Sequence, residues 1–160
     1  LGTLLHFVYE WSVGNPVVGL IGAVNESTWE HLKLLFYPFL LVAVVEYFIY
    51  GKKLPNFLPV KVFSVVLGMM TIVVTFYLYT AILGQNYLWL DILVFLLGVA
   101  VAFWVSARLL TSGALSSNTA RMVGFVALLL LLFCFFYFTF SPPEGPLFLD
   151  PVTGGYGIPE

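Results

Sequence analysis

The sequence predicts an all-α integral membrane protein: a helical bundle of five transmembrane helices, one short interfacial or re-entrant helix, and an ordered Pro/Gly-rich C-terminal segment. Three observations lead there. The 160 residues are 61% hydrophobic and only 9% charged, whereas a soluble domain carries roughly 25% charged residues. A water-facing surface cannot be built from so few charges, so the bilayer is the solvent for most of the chain. Apolar runs at 28–50, 60–83, 90–110 and 119–140 each reach the length, about 20 residues, that a helix needs to cross the hydrocarbon. The basic residues between those runs fall almost entirely on one side, the pattern of cytoplasmic loops. The net charge of -2 gives no electrostatic reason to expect nucleic acid, and no nucleic-acid partner is expected. The single cysteine, Cys134, lies in an apolar run and allows no intrachain disulfide.

Each element has its own signal. Residues 1–12 read as the outer end of a first transmembrane helix that begins before Leu1, because twelve helical residues reach only about 18 Å. His6 and Glu10 argue against a signal peptide there. Asn15 followed by Pro16 gives an N-cap and a first helical position. The helix 15–24 that they open is too short to cross and belongs at the bilayer edge. Ser27-x-x-Glu30 reads as a capping box at the start of helix 28–50. Pro38 frees the carbonyl of Leu34 in that helix and predicts a kink. Gly51-Lys52-Lys53 closes it, and Pro55 and Pro59 keep the connection extended. Helix 60–83 ends at the turn Gly84-Gln85-Asn86. Helix 90–110 carries Asp91 at its start and Arg108 near its end, both favourable to the helix dipole. A Ser/Gly-rich linker leads to helix 119–140. Residues 1–140 thus form the transmembrane domain.

Residues 141–160 form a tail of different character. Nine of its 20 residues are Pro or Gly, which prevents helix. Leu147, Phe148, Leu149, Val152, Tyr156 and Ile158 make it too apolar for a disordered tail. It is expected to fold back over the outer face.

Lys52, Lys53, Lys61, Arg108 and Arg121 lie on one side of this topology, with Lys33 alone on the other. The N-terminus is therefore expected in the cytoplasm and the tail outside. Glu10, Glu26, Glu30, Asp91, Glu144, Asp150 and Glu160 then map to the outer end, together with His6 and His31. Only Glu46 maps to the inner half, where it is expected to reach Lys52 or Lys53. His6 and Glu10 share a face of the first helix by their spacing of four. An ionisable residue at membrane depth faces a bundle interior or a wet cavity.

Imidazoles and carboxylates are the ligands of zinc and similar divalent ions. His6, Glu10, Glu30 and His31 are the candidate metal ligands. Glu26, Glu30 and Asp150 are the candidate catalytic carboxylates, supported by Asn25, Ser27, Asp91 and Tyr156. The pattern holds no HExxH and no cysteine pair. Several of these residues also have a plain structural reading. Ser27 and Glu30 serve as caps, Asp91 complements a dipole, and Asp150-Pro151 is turn chemistry. Trp29 reads as an interface anchor.

The runs Leu4-Leu5-His6-Phe7-Val8-Tyr9-Glu10-Trp11-Ser12 and Val24-Asn25-Glu26-Ser27-Thr28-Trp29-Glu30-His31-Leu32-Lys33, with the ending Pro142-Pro143 … Leu147-Phe148-Leu149-Asp150-Pro151 … Gly155-Tyr156-Gly157-Ile158, resemble a family of small bacterial polytopic membrane proteins of unknown function. The resemblance covers nearly the whole chain. It implies a bacterial plasma-membrane location and a shared constellation of polar loop and tail. A fainter likeness, through Asn25 and Ser27, is to the membrane hydrolase superfamily of alkaline ceramidases and adiponectin receptors. Those proteins have seven helices and a zinc held by three histidines; this chain departs from them in helix count and has two histidines.

The expected function is a membrane-embedded hydrolase or transferase, metal-dependent through an ion such as zinc, acting on a membrane lipid or lipid-linked substrate at the outer leaflet. A small transporter or ion/proton channel is the alternative, with His6, Glu10 and Glu46 as stations. A non-catalytic assembly subunit is the second alternative.

Overall fold

The computed structural model describes residues 1–158. They form helices α1 (Gly2–Trp11), α2 (Pro16–Gly19), α3 (Thr28–Ile49), α4 (Phe57–Leu83), α5 (Leu88–Ser112) and α6 (Asn118–Phe140), with a 3-10 turn at Gly51–Lys53. No strand occurs among the described residues; one isolated antiparallel bridge joins Leu149 and Tyr156.

Four helices, α3 to α6, are long and apolar enough to cross a membrane. α1, expected as the outer end of a further span, is not among them. Helix α1 has 10 residues, a rise of about 15 Å against about 30 Å of hydrocarbon. Helix α2 is only 4 residues long where the sequence suggested 15–24. Asn15 caps it, accepting from the Val17 N–H at 2.9 Å, but after Gly19 the chain tightens into turns, with the Leu20 and Ile21 N–H groups donating to the carbonyls of Val17 and Val18. Helix α4 starts at Phe57, three residues ahead of the expected Val60. Pro59 then sits in the first turn, where its missing N–H leaves no intrahelical bond unmade. Helix α3 continues through Pro38.

The chain divides into two compact units, Leu1–Pro38 with Leu129–Glu160, and Phe39–Leu128. In the second unit α4 and α5 approach closely. A Cβ on Gly98 would lie 2.3 Å from Ile72 Cγ1 and 2.8 Å from the Gly68 carbonyl, so only glycine fits there. The Asn56 amide donates to the carbonyls of Leu109 and Ala114, at 3.0 Å each. Glu46 does not reach for Lys52 or Lys53. It pairs with Lys61 of α4, whose ammonium also donates to Ser106 Oγ at 2.7 Å. Lys61 is buried, and burying its charge inside apolar helices requires such partners.

In the first unit, α3 and α6 meet through aromatic rings. Phe135 is fully buried, with its centroid 4.9 Å from both Phe36 and Trp29. Trp29, half-buried at the start of α3, packs among Phe135, Phe138 and Phe148. The tail enters the same unit: the Trp29 backbone N–H donates to the Leu147 carbonyl at 2.9 Å.

Candidate metal centre

The polar loop ahead of α3 is fixed by local hydrogen bonds. Asn25 Oδ1 accepts from the Ser27 N–H at 2.9 Å, an Asx turn. Ser27 Oγ accepts from the Glu30 N–H at 3.3 Å, which is one arm of the capping box. The other arm is absent. The Ser27 N–H is taken by Asn25, and the Glu30 carboxylate turns instead to the Val24 N–H (3.0 Å) and to Lys33 Nζ (2.6 Å).

This loop, α1 and α3 bring three potential ligands together. His6, Glu26 and His31 place one ligand atom each within 4.8 Å of the others. His6 Nε2 is 3.5 Å from Glu26 Oε1, and His31 Nε2 is 3.5 Å from Glu26 Oε2. The two imidazole centroids are 5.3 Å apart. Two donors bound about 2.1 Å from a tetrahedral ion sit about 3.4 Å apart, so both histidine–carboxylate separations match that requirement. All three side chains are partly exposed, which leaves room for a further ligand.

The tautomer of His31 follows from its other nitrogen. Nδ1 lies 2.9 Å from the Ser27 carbonyl. A carbonyl only accepts, so Nδ1 carries the proton and the neutral ring presents a lone pair at Nε2. That lone pair faces a carboxylate oxygen. Two acceptors set against each other are relieved by a positive charge between them or on the ring. Metal-bound histidines are commonly oriented this way, the second nitrogen donating to a backbone carbonyl. His6 Nδ1 is buried without a hydrogen-bond partner.

His6 and Glu26 line a cavity of about 160 Å³ whose wall also includes Tyr9, Glu10, Asn25, Asp150 and Val152. The structure therefore joins His6 and His31 as the sequence suggested, but through Glu26 rather than through Glu10 and Glu30. Glu10 is exposed on the cavity wall. Glu30 is 2% exposed and bound to Lys33. Asp150 is 3% exposed, and its two oxygens accept from the Val152 N–H (3.0 Å) and the Thr153 hydroxyl (2.7 Å). It shapes the turn of the tail beside the cavity. Asn25 Nδ2 donates to the Gly157 carbonyl at 2.7 Å, tying loop to tail. Gly157 has φ of 72°, a left-handed backbone that favours glycine. Tyr156 is exposed and pairs with Leu149 through backbone only. Asp91 belongs to the other unit, where it accepts from Tyr79 and Asn86. Glu160, placed at the outer end on sequence grounds, lies outside the described residues.

The sequence reading missed Lys33 and Thr139. Lys33 is fully buried, and its ammonium lies 2.6 Å from Thr139 Oγ1, 2.9 Å from the Gly19 carbonyl and 3.4 Å from the Gly22 carbonyl. The signal was present in Glu30-x-x-Lys33, opposite charges three apart in an apolar helix.

No curated protein and no solved structure matches this chain. The family described as "Family of unknown function (DUF6512)" matches residues 1–158, and the chain belongs to that family.

Proposed function

We propose that this chain is a membrane-embedded hydrolase or transferase in which His6, Glu26 and His31 hold a divalent ion such as zinc, acting on a lipid or lipid-linked substrate at the outer leaflet. The observation that carries the reading is the convergence of two histidines and one carboxylate from separate segments. Two histidines and a glutamate form the protein ligand set of several hydrolytic zinc sites, where the fourth position stays open. An ion so held supplies a polarised substrate oxygen or an activated water at neutral pH. Glu10, exposed on the same cavity wall, would move the proton. Asn25 and the tail residues Asp150 and Val152 would shape the substrate's approach. In this reading α1 is a fifth membrane-inserted helix.

Sidedness gains support from burial. Lys33 and Lys61 are buried and ion-paired. The remaining basic residues, Lys52, Lys53, Arg108 and Arg121, are all exposed and all flank the loops read as cytoplasmic. The cluster would then face the extracytoplasmic side of a bacterial plasma membrane.

Metal analysis of the purified full chain tests the proposal. One divalent ion per chain is expected, lost in His6→Ala, Glu26→Ala or His31→Ala and kept in Glu10→Ala. A wild-type chain that binds no divalent ion sinks it. Ion flux in liposomes that disappears with Glu10→Gln would favour the transport alternative instead.

A further inference from the structure

We propose that Glu30, Lys33 and Thr139 form a buried clamp that positions the loop carrying Glu26, so that they act as positioning residues for the metal centre. This rests on the reading that His6, Glu26 and His31 hold a divalent ion.

The clamp is saturated. The three protons of the Lys33 ammonium are shared among Glu30 Oε2, Thr139 Oγ1 and the carbonyls of Gly19 and Gly22. Thr139 uses its own proton on the Phe135 carbonyl at 2.7 Å, so its oxygen is free to accept from Lys33. The same Glu30 oxygen, Oε2, also accepts from the Val24 N–H. Holding two helices together does not require this. A buried ion pair can often be replaced by apolar side chains of similar volume at no loss of stability. What apolar residues cannot do is grip backbone. Here the pair fixes the Gly19 carbonyl at the end of α2, and the Gly22 carbonyl and Val24 N–H of the irregular chain that leads on to Glu26.

Glu26 needs such a hold. It is exposed, and among the described residues its carboxylate pairs with the two histidines alone. Its place is set by the backbone on either side. Upstream that is Val24, held by Glu30; downstream it is Ser27, held by Asn25 and bonded through its carbonyl to His31. The clamped stretch also packs on α1 beside His6. A Cβ on Gly22 would lie 3.2 Å from the Leu5 carbonyl. The clamp thus fixes the carboxylate ligand relative to both imidazoles.

Titration of the full chain in detergent with Zn²⁺, and with Co²⁺ as an absorbing substitute, tests this. The double variant Glu30→Ala/Lys33→Met removes both charges and leaves none orphaned. It is expected to keep its helical circular dichroism while binding Zn²⁺ roughly 10- to 100-fold more weakly, the usual size of outer-shell effects. Its Co²⁺ spectrum should move away from that of the wild type. Glu30→Gln, whose amide oxygen still accepts from the Val24 N–H, is expected to bind more tightly than Glu30→Ala. Wild-type Zn²⁺ affinity and an unchanged Co²⁺ spectrum in the double variant overturn the clamp, as does Gln performing no better than Ala. Should these variants fail to fold, Thr139→Val removes a single acceptor and must still weaken Zn²⁺ binding several-fold; unchanged affinity there overturns the clamp. A wild-type chain that binds no Zn²⁺ removes the centre and the clamp with it, a result distinct from a wild type that binds alongside variants that bind equally well.

Discussion

The imidazole of His31 is tethered to the carbonyl of Ser27, four residues earlier, with Nδ1 2.9 Å from that oxygen. The tether decides which nitrogen is offered to Glu26. It also ties the ring to the first turn of α3, so that the helix start and the ligand move as one piece.

Protons and metal compete for the same lone pairs on His6, Glu26 and His31. Affinity for Zn²⁺ is therefore expected to fall as pH falls, and proton release should accompany binding. Calorimetric titration in two buffers of different ionisation enthalpy, repeated across several pH values, measures both. Affinity that rises on acidification contradicts the ligand set.

The buried pair makes a stability prediction with a particular sign. Lys33→Met alone strands the Glu30 carboxylate in an apolar interior, and breaking such a pair costs about 3–5 kcal/mol. Adding Glu30→Ala should recover part of that loss, giving a coupling well outside additivity. Reversible unfolding in mixed micelles reads it. Single variants that lose less than about 1 kcal/mol would show that the pair is not desolvated.

Asn25 joins the loop to the tail through the Gly157 carbonyl. Asn25→Ala removes that bond and the Asx turn onto Ser27, each hydrogen bond being worth about 1 kcal/mol. Limited proteolysis should then cut within 150–158 faster than in wild type. Equal cutting rates would mean that the tail is held by its apolar contacts alone.

Gly98→Val is expected to destabilise the chain by about 1–3 kcal/mol or more through overpacking, because the added carbon meets both Ile72 and the Gly68 carbonyl. Thermal melting followed by circular dichroism gives the answer. A neutral outcome would mean that α4 and α5 lie further apart.

The long helices were legible because length and hydropathy alone identify segments able to cross a bilayer. Asn15 and Ser27 were legible as caps because capping depends on the nearest few residues. The ligand set was not. Periodicity placed Glu10 on the face of His6, yet the carboxylate that meets both rings is Glu26, and it sits in an irregular loop to which helical periodicity does not apply. Sidedness put Glu30 among the outer-end carboxylates with His31, but adjacent helical residues point about 100° apart. Its side chain turns inward to Lys33. Lys33 itself looked like an exception to the charge asymmetry; burial removes it from that count, since the asymmetry concerns loop charges.

Thr139 lies 106 residues after Lys33. A ribosome therefore completes α3 well before it makes the hydroxyl that accepts from the lysine. Until α6 is synthesised, the Glu30–Lys33 pair lacks its Thr139 contact and the helix that covers it, and an ion pair left facing lipid is costly. Assembly of the first unit therefore waits for α6. Chains truncated before Thr139 would leave that pair uncovered for quality-control proteases to recognise.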